Sequence, residues 1–200
     1  MTYRRRAIGA TAAVLVSATA VVFAACGGGS SYRYAPAAAS STPAATSTAV
    51  RSPLTLTSDA FGNDGTIPTT YTCAGAGTSP GLAWGGAPAG TKAFVLIVHD
   101  PDAPLAGGFT HWIVTDLPGA ASSLPAAVPA AEVIAGGGTQ AVAYRGMCPP
   151  AGAAAHHYHF RLYALDAPLG AAAGATKESI EAAMRGHILA QTDLVGLFGR

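Results

Sequence analysis

Ala93-Phe94-Val95-Leu96-Ile97-Val98-His99-Asp100-Pro101-Asp102-Ala103-Pro104 is the stretch on which the fold turns. Its first six residues form an unbroken apolar run rich in β-formers. The run is too short for a helix and stops at a proline cluster, so it reads as a central strand. Working outward, Leu54-Thr55-Leu56-Thr57-Ser58 alternates apolar and polar, as a half-buried strand does. Trp112-Ile113-Val114-Thr115 is another strand. The stretch from His159 to Leu165 alternates as well, with Phe160, Leu162 and Ala164 on one face. One helix is expected after Thr176, which can cap it. Glu178 stands in the first turn, where the helix dipole favours a negative charge. Ile180, Ala183, Met184 and Ile188 follow as one apolar stripe. No regular alternation of strand and helix appears. The expectation is a mostly β domain, largely antiparallel, with one or two peripheral helices, from about Pro53 to Arg200.

The start of the chain has a different character. Arg4, Arg5 and Arg6 precede an uncharged apolar run from Ala7 to Ala25, and small residues lead to Cys26 and Gly27. This is the order of a secretion signal, residues 1–25, and small residues before the cut let the backbone fit a signal peptidase. A cysteine directly after that cut resembles the bacterial lipobox, in which the thiol is acylated, with Phe23 where leucine is usual. An uncleaved membrane helix is the alternative. Two acyl chains on Cys26 would anchor stably, because each buried methylene contributes about 0.8 kcal/mol. Residues 26–52 are mostly Gly, Ser, Thr, Ala and Pro, without an apolar period. Such a segment buries too little surface to offset its ordering entropy. It reads as a disordered tether reaching on the order of 30 Å. The expected location is therefore outside the cytoplasm, at the cell membrane or outer membrane.

The 200 residues suffice for one domain with a core. Charged residues are 10% of the chain, the net charge is +1, and no basic block follows Arg6. Nucleic acid is not an expected partner on that balance. Gly77-Thr78-Ser79-Pro80-Gly81 matches the nucleophile motif G-x-S-x-G, but Pro80 lacks the N–H that the residue after the nucleophile must donate to an oxyanion. Gly136-Gly137-Gly138 lacks the Lys-Ser/Thr pair of a phosphate-cradling loop. His99, Asp100, Asp102, His111, His156, His157 and His159 invite a metal reading, which needs three or four ligands converging in correct geometry. No metal or other cofactor is expected.

Three segments stand out together: Asp100 to Pro104, Gly108-Phe109-Thr110-His111-Trp112, and Tyr144 to Gly152 leading to His156-His157-Tyr158. Each is a loop running into or out of a strand, and the prolines lower the entropy cost of holding a site. His156 and Tyr158 share a strand parity, and His157 has the opposite one. Imidazole N–H, phenol O–H and loop N–H groups would suit a small anion such as a phosphate oxygen. The aspartates, which only accept, would orient His111 and His156 or face an ammonium group.

Taken in order, these motifs resemble the phosphatidylethanolamine-binding protein family, in its bacterial Raf-kinase-inhibitor-like branch. The likeness runs from about Leu54 to Arg200. It includes Ile67-Pro68, Tyr71-Thr72-Cys73, Ser79-Pro80, Leu82 with Trp84, the Asp100 to Pro104 loop, His111-Trp112, Tyr144 to Tyr158, Ala164-Leu165-Asp166 and Gly186 to Ala190. The resemblance implies a large central antiparallel sheet, a smaller sheet, peripheral helices and a shallow anion pocket. It assigns Asp100, Asp102, His111, Pro149, His156 and Tyr158 to ligand binding. Met147 replaces the usual Pro and His157 the usual Arg, which removes a permanent cation.

With Cys26 assigned to lipid, Cys73 and Cys148 remain. An even pair in an exported domain points to a disulfide, with two reduced thiols as the alternative. The function expected is a non-enzymatic binding protein for a small anion or a phosphoethanolamine-like headgroup. An inhibitor of an envelope serine protease comes second and a hydrolase or metal-dependent enzyme third.

Overall fold

The computed structural model describes residues 53–131, 134 and 136–200. The expected signal segment, Cys26 and the expected tether lie outside the described residues. In chain order the strands are β1 (Thr55–Thr57), β2 (Gly65–Thr66), β3 (Leu82–Gly85), β4 (Ala93–Asp100), β5 (Phe109–Pro118), β6 (Ser123–Leu124), β7 (Thr139–Val142), β8 (His156–Leu165) and β9 (Ile188–Phe198). A 3-10 turn spans Thr69–Tyr71, and α1 (Lys177–Ala183) lies between β8 and β9. The large sheet runs β2-β9-β8-β4-β5-β7 and the small one β1-β3-β6. Every pair is antiparallel except β2 with β9. The mostly β, two-sheet architecture is the one expected.

β4 is apolar without a break because both of its faces are covered. Phe94, Leu96 and Val98 join Trp112, Phe160 and Leu162 against Leu56 and Trp84 of the small sheet. Val95 and Ile97 face the other way, with Ile113 and Leu165, under Ile180 and Met184. Full burial of each such side chain contributes about 1.5–3 kcal/mol. The parity expected in β8 holds, with Phe160, Leu162 and Ala164 in one core cluster.

The helix begins as expected: the Thr176 side chain accepts from the Ser179 N–H at 3.3 Å. Its end differs from the expected stripe. Ala183 is exposed, and Ile188 opens β9 with its side chain 42% exposed. The chain turns out of the helix just after Met184, whose carbonyl accepts from the His187 N–H. Two buried residues one turn apart, Ile180 and Met184, are enough to seat this short helix on the sheet.

Candidate functional site

β4 delivers Asp100 at its C-terminal end, where the carboxylate has two tasks. Oδ1 accepts from the N–H groups of Asp102 (2.9 Å) and Ala103 (3.1 Å), which folds the proline loop back on the strand. Oδ2 meets His156 Nδ1 at 2.8 Å. Both side chains are almost wholly buried. Gly108 closes the same loop, and a Cβ there would stand 2.4 Å from the Asp100 carbonyl oxygen. Only glycine permits that approach.

His111 owes its direction to a β-bulge. Val98 pairs with Trp112 and His99 with Thr110, so His111 is an extra residue on β5 without a partner on β4. Such a residue is re-aimed out of the regular ladder. Two bonds to Arg145 then clasp it. The Arg145 N–H donates to the His111 carbonyl at 2.8 Å, and His111 Nδ1 donates to the Arg145 carbonyl at 2.9 Å. Burial, the largest influence, lowers the proton affinity of His111, against a weaker opposing pull from Asp100.

Both imidazoles therefore spend Nδ1 on an acceptor, and no hydrogen bond from a described residue reaches either Nε2. Both rings line one cavity of about 410 Å³, together with Asp100, Leu105, Phe109, Arg145 and Pro149. A neutral ring held in this tautomer offers the cavity a lone pair, and a protonated ring offers an N–H.

Four of the residues expected at the site, Asp100, His111, Pro149 and His156, line this cavity, and two do not. Asp102 turns outward, and its Oδ2 accepts from the His157 N–H and from His157 Nδ1, each at 2.8 Å. Those bonds hold its carboxyl below the ordinary carboxylate range. The expected division of labour is thus altered: Asp100 orients His156, Asp102 orients the exposed His157, and a backbone carbonyl orients His111. His157 points away from His156, as its parity requires. Tyr158 is fully buried and packs on both imidazoles, edge-on to His111 at 5.3 Å and stacked on His156 at 6.3 Å. Burial, then the charges of Asp100 and Asp102, raise its proton affinity. Asp100 is near enough to oppose ionisation, yet no hydrogen bond of normal geometry joins it to the Tyr158 hydroxyl.

Sequence reasoning overlooked Arg145. Its only visible signal was an unexplained cation in the Tyr144 to Gly152 loop of a chain poor in charge. A disulfide joins Cys73 to Cys148, with Cα atoms 5.3 Å apart, and Cys148 lines the same cavity. Gly146 lets this strap pass close to Thr72 and Cys73, since a Cβ would stand 2.8 Å from the Thr72 carbonyl carbon. Met147 is buried and fills the space beside Tyr144. Ser79, of the tempting nucleophile motif, is buried, and its Oγ accepts from the Val128 N–H at 2.9 Å. Among the described residues no group of three or more His, Cys, Asp or Glu is placed to hold a metal ion. None of the described helices is long and apolar enough to cross a membrane.

Comparison with known proteins agrees with this geometry. The family model described as "Phosphatidylethanolamine-binding protein" matches residues 57–199. A UPF0098 protein of Methanothermobacter thermautotrophicus is 42% identical over 153 residues, covering 74% of this chain and 99% of that one. "Putative lipoprotein LppC" of Mycobacterium tuberculosis is 38% identical over 189 residues, covering 90% of this chain and 92% of that one. The crystal structure of E. coli YbcL, titled a new member of the mammalian PEBP family, superposes with a TM-score of 0.68 at 26% identity. That match covers 74% of this chain and 99% of YbcL. The two-sheet fold, the Asp100–His156 pair beside His111, and a match over nearly the whole described domain converge on one conclusion: the chain belongs to the phosphatidylethanolamine-binding protein family.

Proposed function

We propose that this domain is a non-enzymatic binding protein for a small ligand with an anionic or phospho-headgroup, displayed outside the cytoplasm on a lipid at Cys26. One observation carries the ligand reading. Two buried histidines, each pinned through Nδ1, present to the same cavity an Nε2 without a partner among the described residues. Rings oriented in advance lose little freedom on binding, so a weak polar contact becomes effective. An anion entering the cavity would favour protonation of Nε2, turning the lone pair into a donor. The display reading is supported by the signal-like N-terminus, by Cys26, and by likeness to a protein named as a lipoprotein along 90% of this chain.

Calorimetric titration of the full chain with phosphate and with phosphoethanolamine, at pH 5.5 and 7.5, tests the ligand reading. Binding that is stronger at pH 5.5 and abolished by His111→Ala or His156→Ala is expected. No heat at millimolar ligand would remove the reading and turn attention to the inhibition of an envelope protease.

A further inference from the structure

The cavity poses an electrostatic problem for an anion. Its floor carries the Asp100 carboxylate and, when the histidines are neutral, two ring lone pairs. Burial works against a proton on His111, and Asp102 occupies His157 at a distance from the cavity lining. Arg145 is the one Lys or Arg among the residues lining the cavity. Two other arginines bond to protein groups and do not line the cavity: Arg161 pairs with Asp193, and Arg200 donates Nε to the Pro149 carbonyl at 2.6 Å. The Arg145 guanidinium makes no hydrogen bond or ion pair with a described residue, and the residue is exposed.

We propose that Arg145 is the specificity-determining residue of this cavity, its guanidinium taking the ligand's anionic group beside the two Nε2 atoms. This rests on the anion-binding reading and adds to it which residue supplies the fixed positive charge. Three observations support it. The Arg145 backbone is clasped to His111 by two hydrogen bonds, so the side chain springs from a point held beside that ring. Its charge reaches the ring, where it is one of the influences that lower proton affinity. A guanidinium presents a planar fork of N–H donors that matches two oxygens of a phosphate or carboxylate, and it stays charged at any physiological pH.

The rest of the cavity describes the ligand's other end. Leu105, Phe109, Pro104, Pro149 and Pro150 make an apolar wall. A volume of about 410 Å³ is within the range of small-molecule sites and far exceeds a bare phosphate. Arg145 and these walls together select a doubly charged phosphomonoester carried on an apolar body. They disfavour phosphoethanolamine, whose ammonium group, with the phosphate on Arg145, would be left against the apolar wall.

The test is calorimetric titration of the full-length protein in detergent at pH 7.5 with phenyl phosphate, inorganic phosphate and phosphoethanolamine. Arg145→Gln, Arg145→Lys and His156→Ala are titrated alongside. Phenyl phosphate should bind most tightly. Arg145→Gln should weaken it by about tenfold or more, as loss of a charged hydrogen bond does, and flatten its salt dependence. Arg145→Lys should fall between, since it keeps the charge and loses the fork. Thermal unfolding of Arg145→Gln should match the unaltered protein, because the side chain bonds to no described residue. Binding by Arg145→Gln within twofold of the unaltered protein, with His156→Ala inactive, overturns this inference and leaves the anion-binding reading standing. No binding of any probe by the unaltered protein overturns both.

Discussion

Asp100 and His156 are 56 positions apart in the chain and meet at 2.8 Å, with the carboxylate setting which nitrogen of the ring faces the cavity. Asn at position 100 could still accept from the N–H groups of Asp102 and Ala103 through its carbonyl. Its NH₂ would then face His156 Nδ1, which would have to become an acceptor. Asp100→Asn is therefore expected to move the His156 proton from Nδ1 to Nε2, and to cost about 1–3 kcal/mol of stability. Long-range proton–nitrogen NMR of the imidazoles reads this directly. An unchanged tautomer would mean that Asp100 does not orient the ring.

His111 makes the fold acid-sensitive. Burial lowers its proton affinity from the ordinary 6.5, so below that value the unfolded chain takes a proton that the folded chain resists. Stability is then present above the ordinary value and declines as pH falls below it. His99 acts in the same direction, again chiefly through burial, with Lys177 second. His111→Gln keeps a donor for the Arg145 carbonyl but does not titrate. Its urea midpoint should change less between pH 7.5 and 5.5 than that of the unaltered protein. Equal slopes would count against this assignment.

Asp102 acts at lower pH and in the same direction. Its bonds to His157 lower its proton affinity below the ordinary 3.8, so the stability it contributes is present above that value and is lost as pH falls through the depressed one. The pair is about half exposed, so the effect is small. Asp102→Asn should unfold at the same urea concentration at pH 3 and at pH 5, apart from changes shared with the unaltered protein.

Cys73 and Cys148 close a loop over 75 positions. Constraining an unfolded chain over that length stabilises the fold by about 4 kcal/mol in the chain-entropy model. The double substitution to serine should lower Tm on the order of 10 °C. Phosphate binding should weaken too, since Cys148 and Pro149 both line the cavity. A Tm unchanged by the double substitution would refute a stabilising role for the bond.

Cys26→Ser should abolish incorporation of labelled palmitate and move the protein from the membrane fraction to the soluble one. Retention of the label would place the lipid elsewhere.

Much of this protein was legible in local pattern. Apolar runs and alternation of period two identified β1, β4, β5 and β8, because a strand's side chains must suit the two faces they meet. Parity alone placed His156 and Tyr158 on one face and His157 on the other. Proline-rich loops beside strands pointed to Asp100, His111 and Pro149. Other features depend on pairings between distant segments, which no local period encodes. The skipped residue in the β4–β5 register aims His111. Each aspartate's choice of histidine follows from the path of the proline loop over β8. Ile188 continues the helical stripe in sequence, yet it opens β9, where pairing along β8 outweighs one more helical turn. Tyr158 carries a hydroxyl that suggested a ligand contact; its ring is enclosed by the core and packs on the two imidazoles, which local pattern did not show. Sequence by itself determined β1, β4, β5 and β8, the faces of the site strand and the family. Tertiary structure alone decided which groups reach the cavity, because register and loop closure are settled by the sum of many long-range contacts.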